Sequence, residues 1–144
     1  MFYHSSMNLM VMDAQGGGIG RQVIAALRKE GLNIHIMAVG TNSAAVSAML
    51  KAGADEGATG ENAVRVASRR ADLIVGPIGI IIADAMLGEI TPAMAQAVGQ
   101  SEAVRILIPF RSCETIVAGV KDLSTAALIQ DAVREIKACI QNNG

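Results

Sequence analysis

Aromatic side chains are nearly missing from this 144-residue chain, which has no Trp, one Tyr and two Phe. A surface that grips single-stranded nucleic acid stacks bases on aromatic rings, so that class of function has little to build on. Charge is scarce as well. Twelve Lys and Arg stand against thirteen Asp and Glu, a formal net charge of −1, which leaves no basic footprint for DNA, RNA or an anionic membrane. Cysteine occurs only as Cys113 and Cys139, far apart, with no C-x-x-C and no neighbouring His. That spacing argues against a disulfide framework or a zinc site and fits small buried thiols in a reducing compartment. No apolar run approaches the ~20 residues of a membrane span, and no charged segment leads into an apolar one at the N-terminus. The expectation is a cytoplasmic protein with neither nucleic-acid nor membrane partners.

What the chain has instead is aliphatic bulk. Hydrophobic residues make up 51% of it and charged ones 17%, enough to bury a full core in one domain built from Ile, Val, Leu, Met and Ala. Residues 1–6 differ in character from the rest of the chain and are read as an N-terminal extension, disordered or non-native, outside a single domain at 7–144.

Within that domain apolar runs alternate with amphipathic stretches. Residues 8–12 read as a buried strand, continuously apolar from Leu9 to Met12. Residues 20–30 place Val23, Ile24 and Leu27 on one face and Arg21, Arg28 and Lys29 on another, closed by Gly31. A second strand at 33–39 precedes an Ala-rich helix at 42–51, capped by Thr41 or Asn42 and ended by Gly53. Residues 54–60 hold at best a short edge strand, and 61–70 a helix. The strand at 72–75 ends at Gly76-Pro77-Ile78-Gly79, whereas pattern alone does not assign 83–88 to helix or loop. Thr91-Pro92 opens a helix to about residue 99, and 104–109 is another strand. Residues 115–120 read as a further strand, but the connection at 110–114 is too short for a parallel crossover, so an antiparallel or edge strand is expected. Ser124 or Thr125 caps a last helix to residue 141, with Leu128, Val133, Ile136 and Ile140 as its buried stripe. The expected fold is a three-layer αβα Rossmann-like sandwich with a mostly parallel sheet of order 3-2-1-4-5.

One segment carries chemistry: Ala14-Gln15-Gly16-Gly17-Gly18-Ile19-Gly20, between the first strand and the first helix. Glycines let the main chain approach a phosphate, and a helix N-terminus offers N–H groups without partners. Ligands of parallel sheets sit beyond the carboxyl ends of the strands, where Gly76, Pro77 and Gly79 also fall. With Thr41 and Asn42 after the second strand, these positions make the candidate binding site. A plainer reading makes the glycines a tight turn. Asp13 can hold Mg²⁺ or a substrate hydroxyl, or accept loop amides; Arg21 can reach a phosphate or lie on a solvated face. A dinucleotide fold places an acid ~20 residues beyond its loop to hold the ribose diol. Gly40, Thr41 and Asn42 stand there instead, which argues against NAD, and no adjacent Arg supports NADP. Thr59, Gly60, Glu61 and Asn62 look like a helix start, and His35 like a structural residue of its strand. Asp84 and Glu89 could form a carboxylate pair, but a segment that pattern assigns to neither helix nor loop does not decide it. No catalytic constellation or metal-ligand cluster accompanies the loop.

The strict G-x-G-x-x-G spacing fails, because Arg21 stands where its last glycine would fall. The looser G-x-x-x-G-x-G pattern fits with Ala14, Gly18 and Gly20. On these residues the chain resembles the cofactor half of the short-chain dehydrogenase/reductase family over residues 8–108. Gly18-Ile19-Gly20-Arg21 corresponds to that family's G-I-G turn, and residues 72–79 to its strand-four segment ending N-N-A-G. The resemblance implies an NAD(P)-type nucleotide. It implies no dehydrogenase chemistry, since the Tyr-x-x-x-Lys pair has no counterpart and the only tyrosine is Tyr3. Over nearly its whole length the sequence is similar to a family of short uncharacterised bacterial proteins. They share Asp-x-Gln-Gly-Gly-Gly-Ile-Gly, Gly-Thr-Asn, Ala-Thr-Gly-Glu-Asn, Gly-Pro-Ile-Gly and Met-Leu-Gly-Glu-Ile-Thr-Pro, which stand here at 13–20, 40–42, 58–62, 76–79 and 86–92. That similarity implies a domain of unknown function.

Two readings therefore compete. In one, a phosphate-bearing small molecule or nucleotide binds the glycine-rich loop. In the other, the glycine turns are architectural and the protein is a non-catalytic homo-oligomeric module, a homodimer joined through the apolar stretch at 78–87.

Overall fold

A computed structural model describes residues 7–109 and 115–142. In chain order it contains β1 (Asn8–Asp13), α1 (Gly18–Lys29), β2 (His35–Gly40), α2 (Ser43–Ala52), β3 (Glu56–Thr59), α3 (Glu61–Arg70) and β4 (Leu73–Pro77). A short 3₁₀ turn (Ile78–Ile81), α4 (Pro92–Gln100), β5 (Val104–Ile108) and α5 (Thr125–Asn142) complete it. The five strands form one parallel sheet in the order β3-β2-β1-β4-β5, as the spacing of the elements requires.

β1 lies at the centre, paired along its whole length with β2 (Asn8 with His35, Asp13 with Gly40) and on its other side with β4 (Leu9 with Leu73). Its side chains alternate between two cores. Leu9 and Val11 pack with Val23, Ile24 and Leu27 of α1, Met49 of α2 and Ile129, Val133 and Ile136 of α5. Met10 and Met12 face the other layer, with Val64 of α3, Ile80, and Met94 and Val98 of α4. Sulfur-bearing and aliphatic side chains thus fill what aromatics fill elsewhere.

The helix ends follow their local chemistry. Gly31 turns the chain after α1 with a positive φ, while the Asn42 side chain caps α2 by accepting the Ala45 amide at 2.8 Å. Thr91 accepts the Met94 amide at 3.1 Å, with Pro92 in the first turn of α4. Two expectations need correction. Residues 115–120 contain no strand: the described stretch 115–124 is exposed throughout and pairs with no strand of the sheet, and Gly119 has a left-handed backbone at φ 85°. In α5 the fully buried stripe runs through Ile129, Ala132, Val133 and Ile136, so Val133 and Ile136 stand as expected while Leu128 and Ile140 lie at its margin, half-buried against the same core. The extension at 1–6 and the connection at 110–114, with Cys113, lie outside the described residues.

Candidate functional site

The glycine-rich loop leaves β1 through Asp13, whose side chain is 4% exposed. Its Oδ1 accepts the Ala14 amide at 2.7 Å, and its Oδ2 the amides of Ile19 and Gly20 at 3.1 and 2.7 Å. Of the roles open to Asp13 in the sequence, the one seen is the binding of loop amides. The carboxylate sits inside the turn and takes two of the free donors of the α1 N-terminus, which lets that helix begin at Gly18, two residues earlier than its apolar pattern indicates. Burial pushes the Asp13 carboxyl above its ordinary value, against the three amides that hold the charged form; the nearby Glu89 charge pushes it further up.

The loop glycines fall into two groups. Gly17 has φ 71°, and a Cβ there would meet the Ala45 backbone oxygen at 2.7 Å. Gly20 lies against the Met49 side chain, and Gly76 against the Met12 carbonyl of β1. These three are demanded by packing. Gly16 and Gly18 are different: neither has a positive φ, and a Cβ on either would have nothing within 4 Å. Their amides also have no acceptor among the described residues.

Opposite the loop stands Glu89, which the sequence offers only as a possible partner of Asp84 and not as a neighbour of the loop. Glu89 ends a tight turn over 83–89 in which Asp84, Met86, Leu87 and Gly88 all have left-handed backbones and Leu87 is 98% exposed. The Glu89 Oε1 accepts three hydrogen bonds: from the Thr41 hydroxyl at 2.6 Å, the Gln15 amide at 2.9 Å and the Asn42 side-chain amide at 3.1 Å. Asn42 also donates to the Gln15 carbonyl at 2.9 Å. The Thr41 hydroxyl, with help from the Gln15 amide and Asn42, holds the Glu89 carboxyl below its usual range against the cost of desolvation. An acid therefore does reach the carboxyl end of β2, but the loop after β4 delivers it. No sequence period could announce a contact across 48 positions made by a turn of left-handed residues.

The remaining candidates are spread out. Ile19 serves through its amide, and Arg21 is exposed, lining a shallow groove between α1 and α2 with Ala25, Ser47 and Lys51. Gly76, Pro77 and Gly79 are buried beneath the site, joined to the glycine-rich loop by no hydrogen bond among the described residues. Glu61 accepts the Thr91 hydroxyl at 2.8 Å, and the Gly60 amide donates to the Gly40 carbonyl at 3.0 Å. All five sequence motifs thus meet at the carboxyl end of the sheet. Among the described residues no group of His, Cys, Asp and Glu is arranged to hold a metal.

The chain belongs to the family described as Domain of unknown function (DUF3842), matched over residues 8–141. No curated protein matches it in sequence. Among solved structures it is similar to the crystal structure of AibC, at 16% identity and a TM-score of 0.50 over 96% of this chain. It spans 40% of that protein's length. It is also similar to a dodecameric FMN-dependent Ubix-like decarboxylase from Escherichia coli O157:H7, at 18% identity and a TM-score of 0.43, covering 91% of this chain and 77% of that one. At these identities the likeness is one of fold.

Proposed function

We propose that the protein binds a phosphate-bearing small molecule, a nucleotide or phosphorylated metabolite, on the amides of Gly16 and Gly18. One observation carries the reading: these two glycines, one in the turn and one at the first position of α1, meet no steric or conformational demand of the fold, so a residue with a side chain would fit either place. A residue kept small toward open space, with its N–H free at the start of α1, suits a ligand that presses against the main chain. Asp13 supports the same reading as an internal brace that sets the direction of the loop.

The test is a thermal-shift panel of NAD(H), NADP(H), ATP, GTP, FMN, coenzyme A and inorganic phosphate, with and without Mg²⁺. A ligand at 100 times its Kd adds about 2.7 kcal/mol, enough to raise the midpoint visibly. Gly18→Ala is expected to keep its unfolding free energy within about 0.5 kcal/mol of the parent and to lose the ligand shift. Gly17→Ala, forced into a left-handed backbone against Ala45, is expected to lose more than about 2 kcal/mol. A panel in which nothing moves the midpoint sinks the proposal.

A second reading, association with another copy of the chain, draws on a different observation. The stretch at 78–87 supplies no continuous apolar face, since Ile80 is fully buried. The exposed apolar residues Ile116, Val117, Val120 and Leu123 instead succeed one another beyond β5, whose own Val104 is also exposed.

A further inference from the structure

We infer that Glu89 is a hydroxyl-accepting residue of this site, and that the ligand is a phosphate ester of a vicinal diol with both hydroxyls free, as in a ribosyl phosphate. The inference rests on the phosphate reading of the Gly16 and Gly18 amides and adds what the rest of the ligand must be. Three donors from two loops converge on one oxygen of Glu89, and they fix the carboxylate in place. Its other oxygen, Oε2, has no donor among the described residues. An ionised carboxylate only accepts, so the free oxygen asks its ligand for donors. Because Glu89 bonds the amide of Gln15, next to Gly16, those donors must lie a short covalent distance from the phosphate. Two adjacent hydroxyls meet that requirement, one on Oε2 and one on the Thr41 oxygen, which already accepts the Asn42 side-chain amide at 3.4 Å and keeps one further lone pair. The same negative charge penalises a second phosphate on the diol.

Binding isotherms of the wild type, Glu89→Gln and Gly18→Ala test this with ADP, GDP, their 2′,3′-dideoxy counterparts, adenosine 2′,5′-bisphosphate, phosphoethanolamine and pyrophosphate. The wild type is expected to prefer at least one of ADP and GDP over its dideoxy form by tenfold or more, and to reject the 2′-phosphorylated nucleotide. Glu89→Gln is expected to erase both preferences while binding pyrophosphate at least as well as the parent. Gly18→Ala should weaken every phosphate probe alike. Nucleotides bound without regard to their ribose hydroxyls, or a preference for phosphoethanolamine, overturn the role of Glu89 and leave the phosphate reading standing. Failure of every probe, pyrophosphate included, overturns both. Equal unfolding midpoints for Glu89→Gln and the parent make a lost preference one of recognition; where the midpoint drops sharply, Thr41→Val, which keeps the carboxylate but removes its hydroxyl donor and the second acceptor, is expected to reduce the preference for the free diol, and an unchanged preference overturns the role of this pair.

Discussion

At the residue scale, Asp13 is where burial and hydrogen bonding oppose each other. It is buried, it carries three amide donors, and its carboxyl titrates above 3.8, its ordinary value. Between 3.8 and that raised value the folded chain binds more protons than the unfolded one, so this residue adds stability as pH falls and withdraws it as pH rises. Asp55 and Glu89 act in the opposite sense. Asp55 is lowered from 3.8, where the Ile36 amide and Arg28 outweigh the cost of burial, and Glu89 is lowered from 4.5; each contributes stability above those values that is lost as pH falls through the lowered ones. Asp13→Asn is therefore expected to lose stability more steeply than the wild type on acidification from 4.5 downward, read as urea midpoint against pH. At neutral pH it is expected to lose about 1–3 kcal/mol, because the Asn NH₂ faces amide donors and leaves one without an acceptor. A parallel acid limb in the two proteins would show that Asp13 titrates like an exposed carboxylate.

At the scale of elements, β1 and β4 meet along a seam so close that Gly76 has the Met12 carbonyl where a side chain would begin. Gly76→Ala is expected to cost more than about 2 kcal/mol in denaturant unfolding, since backbone on both sides must move; a change below 0.5 kcal/mol is evidence that the seam yields (~0.5 being the usual effect of a surface substitution). The strands other than β3 were legible because aliphatic runs and glycine punctuation mark successive β-α units, and parallel pairing follows from connection length; β3, Glu56–Thr59, carries no such run. Thr91-Pro92 and Asn42 were legible as caps because their chemistry is local. The strand expected at 115–120 was not there, because β-branched content measures fit to a sheet and says nothing of whether an edge is within reach. The place of Glu89 at the site was illegible for the opposite reason: its surroundings come from the loops after β1 and β2, and its own turn has a left-handed backbone at Asp84, Met86 and Leu87 that ordinary propensities disfavour.

For the whole molecule, the sheet separates two layers of aliphatic side chains and sets the glycine-rich loop, the β2 end and the Glu89 turn at one rim. No helix of the described residues is long and apolar enough to cross a membrane. The apolar side chains at 116–123 lie beyond β5, away from the β1 and β2 loops, so assembly and ligand binding need not exclude each other. Light scattering after size exclusion is expected to give at least a dimer, and Ile116→Asp with Leu123→Asp to shift it to monomer; a wild-type monomer at micromolar concentration would discard the assembly reading. The strand order also governs how the chain folds in time. No two neighbouring strands are joined by a hairpin, and the central pair, Leu9 beside Leu73, closes only after three complete β-α units have been made. Chain-closure entropy then falls on that single event, so weakening the β1–β4 seam should slow the refolding limb of a chevron plot more than it quickens the unfolding limb.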